Sequence, residues 1–161
     1  MKPIAVFYHC LLTDAEGHAL VNALSVVKSQ MDLLAASGLP MKEFHIGVNG
    51  SEESEHICQI FFPGVNHRHM HGLQCKNECR TILELEKWLP THPGWNVLYF
   101  HSKGATYPPG DAFSGRWRDC MMSHLVWNWQ RCVQDLESVQ SVGCHWMTPE
   151  KYQDVVHQPY W

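Results

Sequence analysis

The sequence predicts an α/β fold, a mainly parallel sheet flanked by helices, in one domain covering residues 1–161. Three observations predict it. Short apolar runs of strand length alternate with longer stretches of helical periodicity, as a sheet built through crossover helices requires. Loops that carry glycine and polar residues follow the apolar runs. Hydrophobic residues make up 45% and charged residues 17% of 161 positions, a composition able to fill one core.

Ile4-Ala5-Val6-Phe7-Tyr8 opens the chain as a strand covered on both faces. His9 and Cys10 interrupt the run and no small-residue cleavage site follows, so it is read as a strand and not a signal peptide. Thr13 and Glu16 have capping-box spacing. Leu20, Leu24, Val27, Met31 and Leu34 follow as one helical stripe, closed by Gly38 and Pro40. Phe44 to Val48 predicts a second strand, running into Asn49-Gly50-Ser51, and Ile57 to Phe62 a third. Ile82, Leu85 and Leu89 mark a helix from about Asn77 to Leu89. Val97 to Phe100 predicts a fourth strand. Trp117, Met121, Leu125, Trp129, Val133 and Leu136 give the clearest helical stripe in the chain, and Val142 to Trp146 offers a fifth strand.

Charge and motifs narrow the function. A net charge of −4 provides no general attraction to nucleic acid, and no apolar run reaches the roughly 18 residues of a membrane span. Seven scattered cysteines fit reduced thiols in a cytoplasm. Cys10, Cys58, Cys120, Cys132 and Cys144 are expected as inert buried thiols, and Trp127 and Trp129 as packing residues. Neither a P-loop nor G-x-G-x-x-G is present, nor a G-x-S-x-G elbow.

Ligands of parallel sheets bind beyond the carboxyl ends of the strands. Those ends are His9-Cys10, Asn49-Gly50, Pro63-Gly64 and His101-Ser102-Lys103-Gly104. A lysine directly after a buried strand stands where a phosphate could be held, and Gly104 would allow close backbone approach. Arg116 and Arg118 flank Trp117 near a helix start, a place that favours anions. Spacing alone leaves open that both are solvated cations packed on Trp117.

His101-Ser102-Lys103-Gly104 followed by Trp117-Arg118-Asp119-Cys120-Met121 resembles a group of GT-A-like glycosyltransferases, some placed near rhamnan-synthesis proteins. In that group a strand ending in H-[ST]-K-G precedes a W-R-x-x-M helix. Asn77 to Leu83, Ser37-Gly38-Leu39 and Ile46-Gly47-Val48-Asn49-Gly50 fit the same order, so the resemblance covers most of the chain. It implies a Rossmann-like, nucleotide-sugar-binding half that holds a nucleotide-diphosphate donor and transfers its sugar to a glycan or other acceptor. His9 and Asn49 would lie near base and ribose. His101, Ser102, Lys103, Gly104, Arg116 and Arg118 would take the diphosphate, and Asp111 and His145 are the candidates for the catalytic base. The Asp-x-Asp that holds a divalent cation in ordinary GT-A enzymes is absent; His101-Ser102-Lys103 stands in its place, and Lys103 could replace the metal. Proteins of this group continue into an aromatic-rich acceptor-side segment. Here the sequence stops at Pro159-Tyr160-Trp161, which implies further chain or a partner, or a second copy, at that end; Trp146 and Trp161 are the candidates for sugar stacking.

Two other readings stay open. One is a non-catalytic, truncated GT-A-like binding or scaffold module. The other is a metal-binding protein using the His67–Cys79 region. His67, His69 and His71 alternate there, and Cys75 and Cys79 share a helix face, although the spacing matches no standard zinc motif. A solvated, histidine-rich loop is the simpler account of that region.

Overall fold

The computed structural model describes residues 1–12, 17–50, 54, 57, 62, 65–71, 78–102, 105 and 112–144, with backbone only for 17–19, 70 and 71. Strands β1 (Ile4–Leu12), β2 (Met41–Gly50), β3 (His67–His71) and β4 (Asn96–His101) form one sheet in the order β3-β2-β1-β4. Each pairing is parallel. The helices are α1 (Gly17–Ala36), α2 (Cys79–Trp88), α3 (Ala112–Met121) and α4 (Trp129–Asp135). The fold is therefore the expected α/β architecture, Rossmann-like in its strand order.

The two faces of the sheet differ in chemistry, because strand side chains alternate. One face carries Ile4, Val6, Tyr8 and Cys10 of β1, Phe44, Ile46 and Val48 of β2, and Phe100 of β4. Against it pack Ala23, Val27 and Leu34 of α1, with Met121, Met122, Val126 and Trp129. The opposite face carries Phe7, His9, Glu43, His45, Gly47 and Asn49, and α2 lies over it.

The long C-terminal stripe does not form one regular helix. Between α3 and α4 the chain widens into a π-helical segment, Met122–Trp127, closed by the bond Asn128 N–H to Ser123 O (3.1 Å). Met121, Leu125, Trp129 and Val133 recur at steps of four, and an α-helix of 3.6 residues per turn drifts by about 40° at each such step. The wider π turn takes up that drift and keeps Met121, Val126 and Trp129 on the core. Trp127, expected to pack, is half exposed at 52%.

Gly38 has φ +66°, the left-handed conformation of a helix C-cap, so α1 ends as its sequence predicts. Two strand expectations are corrected. Ile57 is helical, and the third strand is the histidine segment His67–His71, which is not a loop. Val142, Gly143 and Cys144 are not in a strand; His145 and Trp146 lie outside the described residues. The capping pair Thr13 and Glu16 also lies outside them, as do Cys58 and Cys75. Cys10 is buried, whereas Cys120, Cys132 and Cys144 are half-buried. Among the described residues no helix is long and apolar enough to cross a membrane.

Candidate functional site

The parallel register arranges the polar face in rows. One row is Tyr99, Phe7, His45 and His67; the next is His101, His9, Gly47 and His69. In the first row Phe7 and His45 stack with ring centroids 4.1 Å apart, and His45 stacks on His67 at 4.2 Å. In the second, Gly47 opens a space that Thr81 of α2 fills. A Cβ at position 47 would stand 1.8 Å from Thr81 Oγ1, so only glycine lets α2 come this close. The same hydroxyl reaches His9 Nδ1 at 2.7 Å.

At the carboxyl edge β4 is tied to β1 beyond the sheet ladder. Ser102 N–H donates to His9 O (2.9 Å), and Leu11 N–H donates to Ser102 Oγ (3.3 Å). His101 pairs through Nδ1 with Glu78 Oε2 at 2.5 Å, at the start of α2. Asn22 Nδ2 of α1 donates to Ala105 O (3.1 Å), anchoring the segment just past this edge. The Tyr99 hydroxyl is buried with no hydrogen-bond partner among the described residues. Burial, with Glu78 and Cys79 nearby, pushes its pKa far above the usual tyrosine value.

Near the start of β2, Glu43 is a hub. Trp88 Nε1 donates to Glu43 Oε2 (2.9 Å), and His45 Nε2 lies 2.9 Å from the same oxygen. His67 Nε2 is 3.9 Å from Oε2, and His92 Nε2 is 3.8 Å from Oε1. Burial alone would raise the Glu43 pKa; hydrogen bonds from His45 and Trp88 and the nearby His45 and His92 outweigh it and hold the carboxyl below its usual value. Burial lowers the pKa of His45, with His67 and His69 acting the same way against Glu43. His69 is lowered for the same first reason, with Glu84 opposing. In the His45–Glu43 contact the imidazole N–H donates to the carboxylate.

The sequence-derived site residues separate into groups. The structure brings His9, His101 and Ser102 together at the ends of β1 and β4, with Asn49 at the end of β2. His9 and Asn49 are buried, at 5% and 0% exposure, because α2 covers their face. They support the edge from within the sheet and do not open onto it. Arg116 is exposed on α3. Arg118 lines a groove between α1 and α3 with Ser29, Gln30, Leu33 and Asp119. Lys103, Gly104, Asp111, His145 and Trp161 lie outside the described residues.

Sequence reasoning missed Glu43, His45, Glu78, Thr81 and Trp88. For the strand residues a signal existed. From Glu43 to Asn49, polar or small residues alternate with Phe44, Ile46 and Val48, a period-two pattern that marks a polar second face. For the α2 residues there was none, since only the fold sets them over that face.

The family model described as Domain of unknown function (DUF8361) matches residues 7–155, and the chain belongs to that family. No curated protein and no solved structure matches it.

Proposed function

Because that family's description carries no chemistry, we propose from the site that this chain is the nucleotide-sugar-binding half of a GT-A-like glycosyltransferase. In this reading it holds a nucleoside diphosphate sugar at the carboxyl edge between β1 and β4 and transfers the sugar to an acceptor. One observation carries the proposal. In the order β3-β2-β1-β4 the chain winds outward from β1 to β3 and returns to the other side of β1, so the direction reverses between β1 and β4. That reversal opens the crevice in which doubly wound sheets bind nucleotides. Ser102, hydrogen-bonded twice to β1, stands at this point, and Lys103-Gly104 follow it in sequence.

Lys103 and Arg116, with Arg118 from the α1–α3 groove, supply the positive charge for the leaving diphosphate, in place of a metal on Asp-x-Asp. Asp111 and His145 remain the candidates for the base. The free thiols of Cys120, Cys132 and Cys144 favour a reducing, cytoplasmic setting. The absent Asp-x-Asp favours a second reading, a scaffold module that binds the nucleotide without transfer; donor turnover separates the two.

Calorimetric titration with uridine and guanosine diphosphates tests the proposal. Wild type binds one of them, and Lys103→Ala binds it about tenfold to a hundredfold more weakly, at roughly 1.4 kcal/mol per decade. Its unfolding midpoint stays unchanged, because in this reading the lysine serves the ligand and not the fold. No heat with any nucleoside diphosphate, or equal affinity in the variant, rejects the assignment.

A further inference from the structure

A groove of about 200 Å³ lies on the other side of the sheet from the Glu43 hub, between α1, α3 and the π segment. The π segment shapes it. Its wide turn keeps Val126 and Trp129 on the core, at 0% and 7% exposure, and leaves Trp127 half exposed on the groove. Wide turns of this kind recur at functional sites. A lone exposed tryptophan is ordinary on a protein surface. This one lines a groove whose polar groups are unspent. Among the described residues the Trp127 indole N–H, the Asp119 carboxylate and the Ser123 hydroxyl make no hydrogen bond or ion pair.

The lining sets the chemistry of what fits. Leu33 and Met122 give apolar surface, and the indole adds a flat apolar face. Arg118 and Asp119 bring opposite charges to the same groove, so it selects neither a cation nor an anion. Asp119 only accepts hydrogen bonds, Arg118 and the indole N–H only donate, and Ser123 does both. A neutral ligand with one apolar face and a rim of hydroxyls meets all of these conditions, and a pyranose ring is such a ligand. The volume lies below the roughly 300–1,000 Å³ of sites for drug-sized ligands, which limits the occupant to about one ring.

We propose that this groove binds a single pyranose unit of a glycan, by stacking on Trp127 and by hydrogen bonds to Arg118, Asp119 and Ser123. Its placement makes that glycan the acceptor, a role that rests on the glycosyltransferase reading above. Gln30 lines the groove and donates to the carbonyl oxygen of His101, the last residue of β4, so the groove adjoins the carboxyl edge proposed for the donor. Arg118, assigned above to the leaving diphosphate, is then common to donor and acceptor. The sequence suggests Trp127 as a packing residue; its exposure is what frees it for this role.

Methyl pyranosides of glucose, galactose, mannose and N-acetylglucosamine, titrated into isotope-labelled protein and followed by nuclear magnetic resonance, test the site. Wild type binds at least one of them in the millimolar range. The Trp127 indole N–H resonance, identified by its loss in Trp127→Phe, shifts on saturation. With the Ser123 amide as reporter, Trp127→Ala weakens binding about tenfold or more, and Asp119→Ala about tenfold. Both positions are exposed, and circular dichroism confirms that the variants are folded. Trp127→Ala binds the nucleoside diphosphate as wild type does. Three results overturn the proposal: no pyranoside that moves the Trp127 resonance; unchanged affinity in Trp127→Ala; or free uridine or guanosine bound there more tightly than every pyranoside, which would make the groove a base pocket. Pyranoside binding without nucleoside diphosphate binding keeps the site and rejects only its acceptor role. The reverse pattern rejects the site and leaves the nucleotide reading intact.

Discussion

Gln30 is the side chain on which three elements meet. It is 1% exposed, on the apolar face of the sheet. Tyr8 of β1 donates its hydroxyl to Gln30 Oε1 (2.8 Å), and Gln30 Nε2 donates to His101 O of β4 (3.0 Å). It also approaches Met122 Sδ at 3.5 Å in the π segment. A buried amide is tolerated only when its bonds are made, and each partner left unsatisfied costs about 1–3 kcal/mol. Gln30→Leu should therefore lower stability by about 2–4 kcal/mol in urea unfolding, with Tyr8→Phe costing about 1 kcal/mol. A Leu variant as stable as wild type would show that the clamp contributes nothing. The sequence hides this role in part. Gln30 lies three residues after Val27 and four before Leu34, on the predicted apolar stripe, but its type suggests a solvated position.

At the scale of elements, the π segment decides how the C-terminal half meets the core. The π turn already holds one residue more than an α turn, so inserting an alanine after exposed Ser123 would exceed what Met122–Trp127 takes up and rotate α4 by about 100°. Val126 and Trp129, 0% and 7% exposed, would leave their sites, and the Trp129 Nε1 bond to Ser37 O (3.1 Å) would break. Loss of a buried tryptophan costs about 3–5 kcal/mol. At roughly 2–4 °C per kcal/mol for a chain of this size, thermal unfolding should fall by at least 6 °C. An unchanged midpoint would mean that the segment is not needed for register. The steps of four were visible in the sequence; the π turn that accommodates them was not, because apolar spacing reports a face and not a hydrogen-bond pattern. The strand His67–His71 escaped for a related reason. Its alternation was plain, but histidines are uncommon in strand cores; here His67 stacks on His45, and His67 and His69 lie 3.9 and 3.8 Å from the carboxylates of Glu43 and Glu84.

For the whole molecule, the division into strands and crossover helices was legible because buried parallel strands leave short apolar runs. The sheet order was not, since nothing in a strand's own sequence names its neighbour. That order matters most, because it places the ends of β1 and β4 side by side at the point of reversal, with Ser102 bonded across them and Lys103 next in sequence. The central claim is that a nucleoside diphosphate binds there. A crystal of the protein soaked with uridine or guanosine diphosphate tests it most directly. The account predicts the diphosphate across the crevice between the ends of β1 and β4, within hydrogen-bond reach of Lys103. A nucleotide seated in any other part of the molecule, or none at saturating concentration, would contradict it.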